Sequence, residues 1–330
     1  CMMDDIARER GWDPKAFRLA NLMPLGYVDP FNGITCHSTG LAECIEKGAD
    51  FIGWVELREK YKEQSGPVRR GVGMACFSYK TGVYPISLET ASARMVLNQD
   101  GTVQLHLGAT EIGQGGDTVF SQMAAQAIGI PTEDVHIVSF QDTDTAPFDT
   151  GAYASRQTYV TGKATEKCAL ELRGKICALG AKLLGCDKEQ VSFDGREVRV
   201  EEGENAGKTI SLSDIATASM NGNSIELQAT VTHSSEISPP PYMVGAAEIE
   251  VDTETGEVTL LDYAAAVDCG TPINPNLTRV QAEGGIAQGI GMTLTESVTY
   301  DDRGYPMENS LFQYKIPARV DICLLYTSPS

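Results

Sequence analysis

Twice along this chain an alternating apolar pattern gives way, through a turn rich in glycine or proline, to apolar residues spaced by threes and fours. Alternation buries one face of a strand, whereas threes and fours bury one stripe of a helix. A hairpin that feeds a helix in this way predicts an α+β fold, with mixed sheets and helices packed on them. In the first unit the arms span residues 91–97 and 102–107, joined by Asn98-Gln99-Asp100-Gly101, with Val103, Leu105 and Leu107 on one face. Gly113-Gln114-Gly115-Gly116 then opens a helix whose Val119, Phe120, Met123, Ala124 and Ala127 share a side, and Gly129-Ile130-Pro131 stops it. The second unit is a hairpin over residues 245–268, turning at Thr253-Glu254-Thr255-Gly256. Ala247, Ile249 and Val251 face one way and Glu248, Glu250 and Asp252 the other, before a glycine-rich helix over residues 277–294.

Between the units, a strand is expected over residues 135–140, followed by the polar loop QDTDTAPFDTGAYASRQT. A loop this long in a compact domain is commonly functional. It runs into a helix carrying Ala169, Leu172, Ile176, Leu179 and Leu183, with Gly185 suited to its C-terminal cap. Asp13-Pro14 and the spacing of Leu41, Cys44, Ile45, Phe51, Trp54, Val55 and Leu57 predict helices near the start. Residues 1–66 are therefore expected to be the helical end of a preceding domain, and residues 67–322 a second, incomplete one, with the boundary at Glu63-Gln64-Ser65-Gly66-Pro67. The segment CLLYTSPS, residues 323–330, fits neither a helix nor a strand pattern and is expected to be non-native. A first residue of Cys1 suggests a chain that begins inside a longer gene product.

The formal charge of −19 repels the phosphates of nucleic acids and of anionic lipids, so neither is an expected partner. No run of apolar residues is long enough to span a membrane, and no secretory signal opens the chain; a cytoplasmic location is expected. The nine cysteines include no C-x-x-C, which argues against a zinc or iron–sulfur site within this chain. His37, His106, His136 and His233 are scattered and read as structural or surface groups. Cys269 reads as a turn residue, since nothing beside it in sequence would activate its thiol. Tyr84 and Phe77 could line a pocket for a flat ring, although core packing is the ordinary role for Phe77.

Three polar loops adjoin expected helix starts: Gly113-Gln114-Gly115-Gly116, residues 152–158, and Gln281-Ala282-Glu283-Gly284-Gly285. Glycine permits close backbone approach, unpaired helix N–H groups attract phosphate, and amides or hydroxyls supply neutral donors and acceptors. Together they point to a large anionic cofactor. Singly, each is ordinary helix capping.

The strings GATEIGQGGDTVFSQMAAQAIGIP, FDTGAYASRQTYVTG, DCGTPINPNLTRVQAEGGIAQGIGMTLTE and YKIPARVD, in this order, resemble the molybdopterin-binding half of the xanthine dehydrogenase and aldehyde oxidase family. The resemblance runs from about residue 68 to residue 321, and DTGAYASRQTYVTG looks like the bacterial xanthine dehydrogenase branch. It implies molybdopterin with molybdenum, in bacterial members as the cytosine dinucleotide, as the cofactor. Gly113, Gln114 and Gly115 match the segment whose glutamine bonds the pterin, and Ala154 the small residue beside the metal. Ser155, Arg156, Gln157 and Thr158 match the stretch holding the phosphates and nucleotide, and Gln281 the glutamine near the metal. The pterin supplies the sulfur ligands, so no residue here is an expected metal ligand.

The resemblance further implies oxidation of hypoxanthine or xanthine-type purines with water as oxygen source. Electrons would pass to 2Fe-2S and FAD centres, on partner subunits or other regions of the parent, and on to NAD, within a hetero-oligomer. The family's general base is a glutamate in a G-x-G-E segment beyond Y-K-I-P; no G-x-G-E occurs here, so it is expected past the C-terminal end. The substrate-orienting arginine and glutamate are expected upstream. Aldehyde oxidases, carbon monoxide dehydrogenases and hydroxybenzoyl-CoA reductases share these loops. A noncatalytic nucleotide-binding or assembly module is the alternative of another class. A Rossmann protein is disfavoured, because no strand leads into G-x-G-x-x-G.

Overall fold

In the computed structural model, which describes residues 1–330 other than 32, 88, 139–141, 222–224, 323–324 and 330, the chain divides by contacts into two units. Residues 1–79 with 239–330 form one, and residues 80–238 the other. Four helices come first: α1 (Met2–Arg10), α2 (Pro14–Ala20), α3 (Leu41–Ile52) and α4 (Trp54–Lys60). Then follow β1 (Val68–Ser78), β2 (Glu89–Leu97), β3 (Val103–Leu107), α5 (Gly116–Ile128), β4 (Val135–Val138) and α6 (Gln157–Leu184). Short strands β5 (Val191–Phe193), β6 (Glu197–Val200) and β7 (Thr209–Ser211) precede α7 (Leu212–Met220) and β8 (Gln228–Ser235). The last elements are β9 (Tyr242–Asp252), β10 (Val258–Asp268), α8 (Pro275–Leu294) and β11 (Leu325–Pro329).

The fold is α+β with mixed sheets, as the alternating and helical periods predict. In the unit of residues 80–238 the sheet order is β4-β3-β2-β8, antiparallel except for the β3–β4 pair. The β2–β3 hairpin closes where expected: Gly101 has a positive φ of 89°, and Asp100 accepts from the Thr102 N–H at 2.9 Å. Helix α6 continues for 28 residues because its interior holds no proline, and it ends where Gly185 turns left-handed at φ 71°. Val160, Ala164, Cys168, Leu172 and Ile176, at steps of four, have no exposure and form the core with Met95 and Leu105 of the sheet. Leu183, expected on this stripe, is half-exposed; Ala181 is buried in the last turn instead. The strand expected over 135–140 is seen as Val135–Val138, and residues 139 and 140 lie outside the described residues.

The other unit holds a sheet of order β1-β9-β10-β11. The boundary expected near residue 66 is not where the chain divides. Cys44, Ile45, Ala49 and Ile52 of α3 share one apolar cluster with Val244, Ala246, Ala264 and Ala266 of β9 and β10, so the early helices complete this sheet's core. Alanine and glycine let α3 lie close: a Cβ on Gly48 would stand 3.2 Å from Val244. On the opposite face, Ile286 and Ile290 of α8 pack with Ala265. The segment read as fitting no strand contains β11, which pairs parallel with residues 263–267 of β10. A strand at a sheet edge is held by main-chain hydrogen bonds, which need no alternating side-chain pattern, and its proline stands at the strand's end.

Leu172→Ala should leave a cavity under β2 and lower stability by about 2–5 kcal/mol, the usual cost of a buried leucine truncation. Urea denaturation checks this: the midpoint should fall while the slope stays unchanged.

Candidate functional site

The loop entering α5 is closed by its own carboxylate. Glu111 accepts from the N–H groups of Gly113 at 2.7 Å, Gly115 at 3.1 Å and Asp117 at 2.9 Å. Partial burial, the largest influence, raises the Glu111 carboxyl, but these N–H groups and that of Gly116 together outweigh it and hold it below its ordinary 4.5. The free helix-start donors expected at Gly113-Gln114-Gly115-Gly116 are therefore partly engaged already. Glu111 carried no role in the sequence reading; an acid six residues before Asp117, ahead of a glycine-rich helix start, was the available signal.

Gln114 is held as tightly. Its Oε1 accepts from the Ile112 N–H at 2.7 Å, and its Nε2 donates to the Thr110 carbonyl at 3.0 Å and to Gln157 Oε1 at 3.2 Å. Gly116 leaves room for this amide, since a Cβ there would come within 2.8 Å of Nε2. Gln157 opens α6, so its bond to Gln114 ties two of the three expected cofactor loops together. Ser155 and Thr158 beside it are exposed.

The loop before α6 is shaped by buried charge. Residues 147–149 run beside the start of β2, where the Ser92 N–H donates to the Phe148 carbonyl at 2.7 Å and Ala91 bridges Asp149. Gly108 permits this, because a Cβ there would collide with the Pro147 carbonyl. Arg156, expected at the cofactor's phosphates, has its guanidinium turned inward with no exposure. Its Nε donates to Glu89 at 2.5 Å, its Nη1 to Asp149 at 2.5 Å and the Gly151 carbonyl at 3.1 Å, and its Nη2 to the Thr90 carbonyl at 2.9 Å. The sequence reading set this residue at the phosphates; in the structure its guanidinium is fully buried and matched by carboxylates of this same unit. The sequence pattern shows a cation in an acidic loop but not which way it points.

Immediately before Arg156, Ala154 and Ser155 adopt φ of 45° and 50°, the only non-glycine residues at positive φ among those described. Residues in this left-handed region cost about 1–3 kcal/mol each unless the surroundings hold them, and they cluster where backbone meets a ligand. The small side chains expected at 154 and 155 thus coincide with a strained bend.

Gln281 belongs to the other unit, which is described by itself. It lies on α8 and lines a largely apolar cavity of about 650 Å³ with Phe77, Met243, Tyr263, Gly285 and Ile290. Phe77, expected in the core, is half-exposed and faces this cavity. His37 and His136 are exposed, and His233 Nδ1 sits 3.1 Å from Lys167 Nζ at the surface. Burial raises the Cys269 thiol, in keeping with a turn residue. Among the described residues no group of three or more His, Cys, Asp and Glu side chains could hold a metal ion.

The sequence profile of the molybdopterin cofactor-binding domain matches residues 47–323. The xanthine dehydrogenase molybdenum-binding subunit of Escherichia coli is 38% identical over 327 residues, covering 97% of this chain and 43% of that protein. The carbon monoxide dehydrogenase large chain of Afipia carboxidovorans is 27% identical over 341 residues, covering 97% of this chain and 42% of that protein. Among solved structures, quinoline 2-oxidoreductase from Pseudomonas putida 86 superposes with a TM-score of 0.86 at 27% identity, over 99% of this chain and 44% of that chain. The chain thus spans less than half the length of the relatives it matches.

A carboxyl held below its unfolded value contributes stability above that value and loses it as pH falls through the folded one. Glu111→Ala should therefore lower stability near neutral pH by about 0.5–2 kcal/mol, as loss of a helix cap does. The gap from the parent should narrow as pH drops below 4.5. Denaturant titrations across that range check both the size and the sign.

Proposed function

Since the chain belongs to the molybdopterin cofactor-binding domain family, we propose that it is the cofactor-holding part of a molybdenum hydroxylase acting on hypoxanthine- or xanthine-type purines. The observation that carries this reading is the Gln114–Gln157 hydrogen bond, which joins the G-Q-G loop to the A-S-R-Q-T loop in one unit. The purine assignment is supported by the greater similarity to the xanthine dehydrogenase subunit than to the carbon monoxide dehydrogenase chain.

The donor set fits the cofactor. Gly113 and Gly115, at φ of 97° and 86°, keep side chains out of the loop, and a Cβ on Gly113 would meet nothing within 4 Å. Neutral amides and hydroxyls at Gln114, Ser155, Gln157 and Thr158 suit a multiply hydrogen-bonded, phosphate-bearing ligand without a strongly basic pocket. When bound, the molybdenum cofactor supplies the redox centre and brings its own sulfur ligands.

The chain's own residues bind and orient. Ala154 leaves the backbone bare of bulk at the bend, so reacting groups can come close. Ser155 and Thr158 present hydroxyls at the start of α6, and the cytosine dinucleotide form gives them a phosphate-bearing extension to hold. Arg156 acts from inside, through the shape of the loop. Gln281 is kept as a proposed cofactor residue on the resemblance of its segment. The 2Fe-2S and FAD centres that would carry electrons on to NAD belong, in this reading, to partner subunits or to other parts of the same protein.

The purified native protein should contain molybdenum and a pterin, and Gln114→Ala should lower its molybdenum content, because it removes the amide that joins the two cofactor loops. Full metal occupancy in both Gln114→Ala and Gln281→Ala would overturn the site. Ala154→Leu adds several heavy atoms at the bend, which commonly costs roughly 1–3 kcal/mol and should leave the fold intact. Purine turnover should nevertheless fall on the order of a hundredfold, the penalty for displacing reacting atoms by about 1 Å. Melting temperature and steady-state kinetics, measured with cofactor content, check the two together.

A further inference from the structure

Glu89 and Asp149 lie outside residues 155–158, yet both carboxylates near the strained bend bind the guanidinium that follows it. Glu89, at the first position of β2, is fully buried and accepts from Arg156 Nε at 2.5 Å, from the Val83 N–H at 2.6 Å and from the Tyr153 hydroxyl at 3.4 Å. Asp149 accepts from Arg156 Nη1 at 2.5 Å, the Gly151 N–H at 2.8 Å and the Thr161 hydroxyl at 2.6 Å. The Gly82 N–H donates to the Ala154 carbonyl at 2.7 Å, and a Cβ on Gly82 would lie 2.8 Å from Glu89 Cδ. The guanidinium also covers the Tyr153 ring, 5.6 Å from its centroid.

We infer that Glu89 and Asp149 are positioning residues: by clasping Arg156 from two sides they hold Ala154 and Ser155 in the left-handed conformation, so that the loop has its working shape before any ligand arrives. Left-handed backbone at alanine and serine persists only where the surroundings over-determine it. Here the clasp spans both sides of the bend, since Gly151 and Tyr153 precede it and Arg156 follows it. The segment at Gly82 and Val83 is tied to the same carboxylate, so Glu89 couples two loops to one strand end. Arginine is required because its planar fork meets two carboxylates and two carbonyls at once, which a lysine ammonium cannot. That the held loop serves a molybdopterin rests on the reading above; that it is held does not.

Hydrogen exchange read by mass spectrometry on the native protein and its Glu89→Gln and Asp149→Asn variants tests the inference, with molybdenum content measured on the same samples. The amides of Gly82, Val83, Gly151 and Arg156 donate within the clasp and should exchange at least tenfold faster in the variants, while the middle of α6 keeps its protection. Asp149→Asn keeps an oxygen for Gly151 or Thr161 and serves if Glu89→Gln fails to fold. Arg156→Lys should behave like the carboxylate variants. Faster loop exchange with lost molybdenum supports the inference. Faster loop exchange with full molybdenum supports it too, and overturns the cofactor reading instead. Unchanged exchange at the four amides, or equal loosening throughout α6, overturns it.

Discussion

The buried guanidinium of Arg156, set between Glu89 and Asp149, is the interaction on which the candidate site depends. Taking three charges out of water is costly, and their attraction offsets the loss only when remaining lone pairs and protons find partners. Here they do: Val83, Gly151, Thr90, Thr161 and Tyr153 complete the shell. Such a cluster is weak support for net stability, because well-packed apolar residues could replace it, but removing one member strands a buried charge at about 3–5 kcal/mol. Its value lies in geometry. A planar fork with fixed donors sets the position of the chain on both sides of it, which apolar packing of similar volume does not.

A second self-contained network lies beside it. Glu111 satisfies the N–H groups that open α5, and Gln114 satisfies Thr110, Ile112 and Gln157 in one amide. Helix starts left bare would attract any anion. With Glu111 in place, α5 meets an approaching phosphate with a carboxylate, whereas the start of α6 has exposed hydroxyls at Ser155, just before the helix, and at Thr158 in its first turn. The two helix starts therefore differ in the ligands they favour, although both follow glycine-rich or small-residue loops.

Much of the fold was legible because it is periodic. Val103, Leu105 and Leu107 alternate and are buried; Leu172, Ile176 and Leu179 fall on one stripe and are buried; Gly101 and Gly185 turn where turns were expected. What escaped the pattern depends on distant partners. The early helices read as another domain because their stripes do not reveal which sheet they cover, and Ala246, Ala264 and Ala266 are too small to advertise a core. β11 escaped because main-chain pairing leaves no side-chain signature. Phe77 read more readily as core than as the lining of a pocket, and the structure sets it half-exposed at a cavity.

The same division runs through the site. By itself the amino-acid sequence determined which loops are small, glycine-rich and amide-bearing, since these properties belong to residue types and their order. It also determined the family, because several ordered motifs coincide far more rarely than one. The tertiary structure alone decided where each charge and each amide points. Arg156 is the single cation of an acidic loop in the sequence, and it is turned inward between Asp149 of that same loop and Glu89, which comes from 67 positions earlier. Its burial depends on a strand far away in the chain, so the local pattern alone cannot carry it. The left-handed bend at Ala154 and Ser155 was hidden for the same reason: neither residue prefers that conformation, and it exists because what surrounds it leaves no other.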